Sequence, residues 1–256
     1  MPLLTSATRL RAALSADRAW CIYALGDLAP GFFEHTSWHA TDDSPGAILM
    51  LYRAFGPPVL FALGAPALVA GLLDELVDET ELYLSVRPDV MPLIHARFKV
   101  ADETPMWRMT LDPTRFLPVP GPARRLALAD LPALLALYSD GQAEGAADFF
   151  TAAMLEQGAY FGIEESGQLV AAAGTHLLAP AEGVAAIGNV YTRRDRRGRG
   201  LAAQVTSAVT ASLIGQRPPL DMIGLNVRQN NAAALRVYQR LGFARYCAFF
   251  EGRAHR

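Results

Sequence analysis

Apolar side chains at Leu201, Val205, Val209 and Leu213 recur every four residues, which predicts a helix over Leu201 to Ile214 with one buried stripe. Gly215 and then Pro218-Pro219 end it. On either side the pattern shortens to apolar runs, Val184 to Thr192 and Leu220 to Val227, each the length of a buried strand. A helix follows over Asn231 to Leu241, closed by Gly242, and then a last strand over Phe243 to Phe250. Upstream, Leu131 to Tyr138 reads as a leucine-rich helix with Asp130 placed to cap it and Gly141 to stop it. Phe149 to Gln157 reads as a second helix, closed by Gly158. Tyr160 to Ile163 and Leu169 to His176 read as a hairpin turning at Ser166-Gly167. Helices and strands in alternation make this half an α/β unit.

The first half carries the same rhythm less clearly. No charged side chain occurs from Ala54 to Leu73, a length that could cross a membrane. Gly56, Pro57, Pro58, Gly64, Pro66 and Gly71 interrupt it, so it reads as a strand over Val59 to Leu63, a turn, and a helix from about Pro66. Prolines at 113, 118, 120 and 122 break both helix and sheet between Leu111 and Pro122. The domain boundary is therefore expected there, with domains at 1–118 and 119–256. An internal repeat is also visible: Leu84-Ser-Val-Arg87 lies on Leu225-Asn-Val-Arg228, and His95 to Val100 lies on Tyr238 to Phe243. Each pair follows an apolar helical pattern, Ala67 to Leu76 in one half and Leu201 to Ile214 in the other.

Composition narrows the function classes. Of 256 residues, 52% are hydrophobic and 19% charged, which supplies a packed core. The net charge of -2 gives no general attraction to nucleic acid or anionic membrane, so neither is expected as a partner. Cys21 and Cys247 stand near opposite ends, with no metal-ligand spacing and no disulfide framework. Met1 to Leu14 lacks the apolar core of a secretion signal, and a cytoplasmic protein is expected.

Chemistry concentrates in Asn189-Val-Tyr-Thr-Arg-Arg-Asp-Arg-Arg-Gly-Arg-Gly-Leu-Ala202. A strand runs into a glycine-containing loop that opens a helix. The first N–H groups of a helix lack internal partners, and its dipole favours negative charge there. Gly198 and Gly200 let the backbone approach a diphosphate, Ala202 leaves room in the first turn, and Arg197 and Arg199 can add charge-assisted bonds. Five arginines in this loop could instead be a solvated basic surface or a nucleic-acid contact. Lys99 is the sole lysine, however, so arginine density means less in this chain than in most.

Arg197-Gly-Arg-Gly-Leu-Ala202 resembles the R-x-x-G-x-G/A pyrophosphate loop of the GNAT superfamily of acyl-CoA-dependent N-acyltransferases. Asn231-Ala-Ala-Ala-Leu-Arg-Val-Tyr238, followed by Gly242-Phe243, resembles that superfamily's second signature. The resemblance covers Arg124 to Phe250. It implies a mixed sheet flanked by helices, and the internal repeat adds a second α/β domain in the N-terminal half that reads as a degenerate copy. It also implies that the strands Val184 to Thr192 and Leu220 to Val227 splay apart to admit the pantetheine arm. Val190, Tyr191 and Thr192 would bond that arm and the thioester carbonyl, and the loop Arg197, Gly198, Arg199, Gly200, Leu201 and Ala202 would hold the diphosphate. Asn231 would contact the arm or cap the last helix. Tyr238 would donate a proton to the leaving thiolate or pack in the core.

The implied reaction is direct transfer from acetyl-CoA to the amine of a small molecule or peptide, in a ternary complex and without metal. A longer acyl donor, or an acyl-CoA-binding module without turnover, are the alternatives. Candidate bases are His176, Glu164 and Glu165, with water-mediated deprotonation as another route. Acceptor choice is expected to depend on Ser139 to Asp148, with the aromatic Gly31 to Trp38 segment a second candidate lining or else a core or interdomain contact. The first half lacks a phosphate loop, since Gly64-Ala-Pro-Ala-Leu-Val69 offers one glycine and no cation.

Overall fold

The computed structural model of the chain describes residues 3–42, 46–54, 56–141 and 150–256. Two compact units result. One comprises Met1–Arg108, Arg228–Asn230 and Tyr246–Arg256, and the other Met109–Val227 and Asn231–Arg245.

The first unit opens with α1 (Ala7–Leu14), whose N-cap Ser6 accepts from the Arg9 N–H, and α2 (Ile22–Gly26). Strands β1 (Thr36–Ala40), β2 (Ala47–Tyr52) and β3 (Val59–Gly64) form an antiparallel meander. Helix α3 (Pro66–Leu73) then crosses to β4 (Glu81–Val86), which pairs parallel with β3. The uncharged stretch is thus a strand and a short helix, and among the described residues no helix is long and apolar enough to cross a membrane. Helix α4 (Met91–His95) and β5 (Lys99–Leu111) follow. The apolar faces meet in one core that includes Leu49, Leu60, Val69, Leu72, Leu84 and Ile94. Cys21 and Cys247, remote in sequence, are both free thiols of this unit. Trp38 of the aromatic segment is buried, so the core reading of that residue holds.

The second unit contains β6 (Arg124–Arg125), α5 (Leu131–Ser139), α6 (Ala152–Gln157), β7 (Phe161–Glu165), β8 (Gln168–Ala179), β9 (Val184–Thr192), α7 (Leu201–Ile214), β10 (Met222–Arg228), α8 (Ala232–Arg240) and the start of β11 (Ala244–His255). Its strands lie in the order β10-β9-β8-β7-β6. All neighbours are antiparallel except β9 and β10, which are parallel because α7 makes the crossover between them. Each residue of the expected α7 stripe (Leu201, Val205, Val209, Leu213) is buried. The mixed α/β architecture flanked by helices is therefore the one the sequence implies. The segments β3-α3-β4-α4-β5 and β9-α7-β10-α8-β11 run through the same order of elements.

Two local expectations need correction. Asp130 does not cap α5, because it sits in helical backbone (φ -86°, ψ -4°) rather than the extended conformation a cap requires. Its carboxylate instead accepts from the Ala127 N–H at 2.8 Å, one turn earlier, and pairs with Arg124. The last strand runs on to His255, past the expected Phe250, because Phe250 to His255 pair antiparallel with β4. Phe149, the expected start of α6, lies outside the described residues, as do residues 142–148 of the acceptor segment.

Helix α8 ends as foreseen. Gly242 has φ +101°, its N–H bonds to the Gln239 carbonyl, and the Phe243 N–H bonds to the Tyr238 carbonyl. A Cβ at Gly242 would also stand 2.2 Å from the Arg115 carbonyl oxygen. Gly242→Ala therefore combines an unfavourable left-handed residue with a backbone clash. It should lower unfolding free energy by about 2 kcal/mol or more. Urea denaturation reads this directly, and a change under about 0.5 kcal/mol would contradict it.

Candidate functional site

Strand β9 supplies one wall of the site. Its parallel ladder with β10 runs through Val184↔Met222, Ala185↔Ile223, Ala186↔Gly224 and Ile187↔Leu225, and goes no further. Both strands continue beyond that point, β9 to Thr192 and β10 to Arg228. The backbone of Val190, Tyr191 and Thr192 thus stands past the end of the ladder. The Thr192 Oγ1 is buried with no hydrogen-bond partner among the described residues. Such an orphan is costly unless a ligand or solvent group satisfies it.

After β9 the chain makes a short turn at Arg194–Arg196 and reaches Gly198 and Gly200, both at φ +79°. Those left-handed residues turn the chain into α7. Gly200 is the N-cap, no side chain caps this end, and the first internal bond is Gln204 N–H to Gly200 O at 3.2 Å. The N–H groups of the first turn, including Leu201 and Ala202, have no helical partner. Among the described residues, nothing beyond the chain neighbours stands within 4 Å of where a Cβ would be at Gly198 or Gly200. This donor set and open approach fit a diphosphate.

The arginines of the loop divide into two kinds. Arg193 and Arg196 pair with Asp195, and Arg196 also with Glu165. Arg199 grips Glu165 through two contacts, at 2.8 and 2.9 Å. That bonding, first from Arg199 and then from Arg196, holds the Glu165 carboxyl below its usual range, which makes it a poor proton acceptor. Glu164 pairs with Arg124. Both glutamates weighed as bases therefore serve as loop and hairpin anchors. Arg197 lies along the strand instead: its Nε donates to the Thr192 carbonyl at 3.2 Å, and its guanidinium sits 5.4 Å from the centre of the Tyr191 ring. Tyr191 in turn donates to Asp140 at 2.8 Å, and Asp140 also accepts from the Arg194 N–H at 3.0 Å. Asp140, within the Ser139 to Asp148 segment expected to bear on acceptor choice, ties the end of α5 to the loop, a link the sequence analysis did not name. Nothing in its local sequence marks it, since its partners lie more than fifty residues away.

Asn231 is the N-cap of α8, with its Oδ1 accepting from the Ala234 N–H at 3.0 Å. Its capping role is thus present in the structure, and the amide N–H₂ is the group that would remain for a ligand. Tyr238 is 7% exposed, packs its ring against Phe243 at 6.2 Å, and burial pushes its pKa up to about 12. The phenol therefore keeps its proton at any ordinary pH. His176, partly buried, meets Asn189 at 2.9 Å, and burial lowers its pKa while that hydrogen bond opposes the shift.

A parallel β9–β10 ladder that ends early beside a glycine-turned helix with no side-chain cap is the arrangement that the resemblance to the acyl-CoA-dependent N-acyltransferases implies. Residues 127–243 match the model of the Acetyltransferase (GNAT) family, and this part of the chain is a GNAT domain. Solved structures extend the likeness beyond the domain. A Drosophila protein superposes with a TM-score of 0.71 at 14% identity, covering 100% of this chain and 98% of that one. A tandem GNAT protein from the clavulanic acid biosynthesis pathway gives 0.60 at 17% identity, covering 98% and 94%. A GNAT-family protein from Novosphingobium aromaticivorans gives 0.56 at 25% identity, covering 81% and 88%. A search of the curated proteins gives no match.

Proposed function

We propose that the chain is an N-acetyltransferase that carries an acetyl group from acetyl-CoA to an amine by direct transfer in a ternary complex. The observation that carries this reading is the early end of the β9–β10 ladder beside the open N-terminus of α7. The first feature leaves the end of β9 unpaired with β10, which suits the arm, and the second offers donors for the diphosphate. When bound, acetyl-CoA would supply a thioester carbonyl: the amine nitrogen bonds to that carbon as the carbon–sulfur bond breaks, the sulfur leaves as a thiolate, and the proton the amine loses passes to water.

In this reading the N–H and C=O groups of Val190, Tyr191 and Thr192 align the arm, and a donor on the carbonyl oxygen stabilises the charge that builds there. Gly198, Gly200, Leu201 and Ala202 hold the diphosphate through backbone N–H groups. Arg197 and Arg199 flank it, and Asn231 reaches the arm from the head of α8. Tyr238 donates to the departing sulfur. The shared order β3-α3-β4-α4-β5 and β9-α7-β10-α8-β11 supports a duplication, and one structural relative is itself described as a tandem GNAT protein. The first unit is not expected to hold a second CoA. Its crossover helix α3 begins with Pro66 at the first helical position, which has no N–H to offer.

Release of free CoA thiol, measured with a panel of primary amines and with acetyl, propionyl and longer acyl donors, tests the reading. Amine-dependent release fastest with acetyl-CoA supports it. Binding of acetyl-CoA without release for any amine would mean a binding module, and a clear preference for a longer acyl chain would correct the donor.

A further inference from the structure

Asn189 lies in the middle of β9, 8% exposed, at φ +51°. A residue with a Cβ adopts that backbone rarely, and in a strand it marks a bulge. The register agrees. Ala172 stands opposite Tyr191 and Gly174 opposite Gly188, so two steps along β8 span three along β9, and the extra residue falls at Asn189–Val190. A second irregularity lies beside it. Thr175 faces Ile187 and Leu177 faces Ala186, which leaves His176 as the extra residue of β8.

The two bulged residues bond to each other, His176 Nε2 to Asn189 Oδ1 at 2.9 Å. Asn189 Nδ2 donates to the Tyr160 hydroxyl at 2.7 Å, the Tyr160 hydroxyl donates to the Thr175 carbonyl at 3.2 Å, and the Tyr138 hydroxyl donates to the Asn189 carbonyl at 2.8 Å. Proton counting fixes the arrangement. The Thr175 carbonyl can only accept, so it takes the single Tyr160 proton. Tyr160 must then accept from the asparagine N–H₂, which turns the asparagine oxygen toward His176, and His176 Nε2 must carry its proton. Space is kept for this network: a Cβ on Gly188 would fall 2.4 Å from the His176 ring, and one on Gly174 would fall 2.2 Å from the Tyr160 ring.

The bulge begins at Asn189, two residues past the last pair of the β9–β10 ladder at Ile187↔Leu225. We propose that His176 and Asn189 are positioning residues that latch the bulge in β9, and that this latch holds open the gap that takes the pantetheine arm. The proposal rests on the acyl-CoA reading of the site. Asn189 then does more than tolerate a left-handed backbone, a task glycine would do better.

That contrast supplies the test. Calorimetry would compare the affinity for CoA with that for adenosine 3′-phosphate 5′-diphosphate, which keeps the nucleotide and diphosphate and lacks the arm. Asn189→Gly and His176→Leu should each weaken CoA by about tenfold or more, the effect of one lost buried bond. Both should leave the nucleotide within about twofold. The double variant should be little worse than either alone, since both changes break one unit. His176→Gln, which restores an N–H donor, should recover most of the CoA affinity. If Asn189→Gly binds CoA as the unaltered chain does, asparagine serves only the backbone and the latch is wrong. Parallel weakening of both ligands would mean a general loss of structure and would equally overturn it. If the unaltered chain binds neither ligand, the acyl-CoA reading fails and the latch falls with it.

Discussion

Gly200→Asp should weaken acetyl-CoA binding by about a hundredfold or more, from an expected micromolar range for the unaltered chain. Gly200 caps α7 at φ +79° with open space over its Cα, and the N–H groups that follow it have no helical partner. An aspartate there would put a negative charge in the position the diphosphate is to occupy. At roughly 5 Å and an effective dielectric near 20, each pair of like charges costs about 3 kcal/mol, which is about two orders of magnitude in affinity. Screening at an open loop removes part of that, and the added bulk restores some of it. Gly200→Asn is the control, since it adds the same shape without charge and asparagine tolerates left-handed backbone. The asparagine variant should lose far less. Unchanged calorimetric affinity in the aspartate variant would remove the diphosphate from this loop.

The elements that were legible in the sequence are those whose partner is local. The α7 stripe was readable because helix period and burial coincide at Leu201, Val205, Val209 and Leu213. The end of α8 was readable because a glycine after an apolar helix has one common use. What stayed hidden was set by distant partners. The run of β11 to His255 depends on β4, which lies far upstream in the chain. The grip of Arg199 and Arg196 on Glu165 closes over about thirty residues, so a glutamate weighed as a base turned out to be an anchor. The bulge at Asn189 is a matter of register, which no single strand encodes. A signal did exist, because Gly188-Asn189 inside an otherwise apolar strand is turn chemistry out of place. Reading that pair as a break in β9 would have brought Asn189 forward as a candidate and joined it to His176.

Tyr238→Phe should lower kcat by about a hundredfold or somewhat less, with CoA affinity changed little. Burial raises the Tyr238 pKa to about 12, so the phenol is a donor across the whole working range of an assay. A donor that weak does not hand over its proton before the carbon–sulfur bond breaks. It is suited to strengthen one hydrogen bond as charge builds on the departing sulfur, an effect absent from the ground state, which is why kcat should fall while binding holds. Phenylalanine keeps the ring packing against Phe243 and loses only the hydroxyl, so the thermal midpoint should move by a few degrees at most. The acyl donor offers a second control. A thioester whose thiol is more acidic needs less help in leaving, so the variant should approach the unaltered chain with such a donor. An unchanged kcat with acetyl-CoA and the best amine would leave Tyr238 as a packing residue. A loss that stayed the same with the better leaving group would move its hydroxyl away from the sulfur.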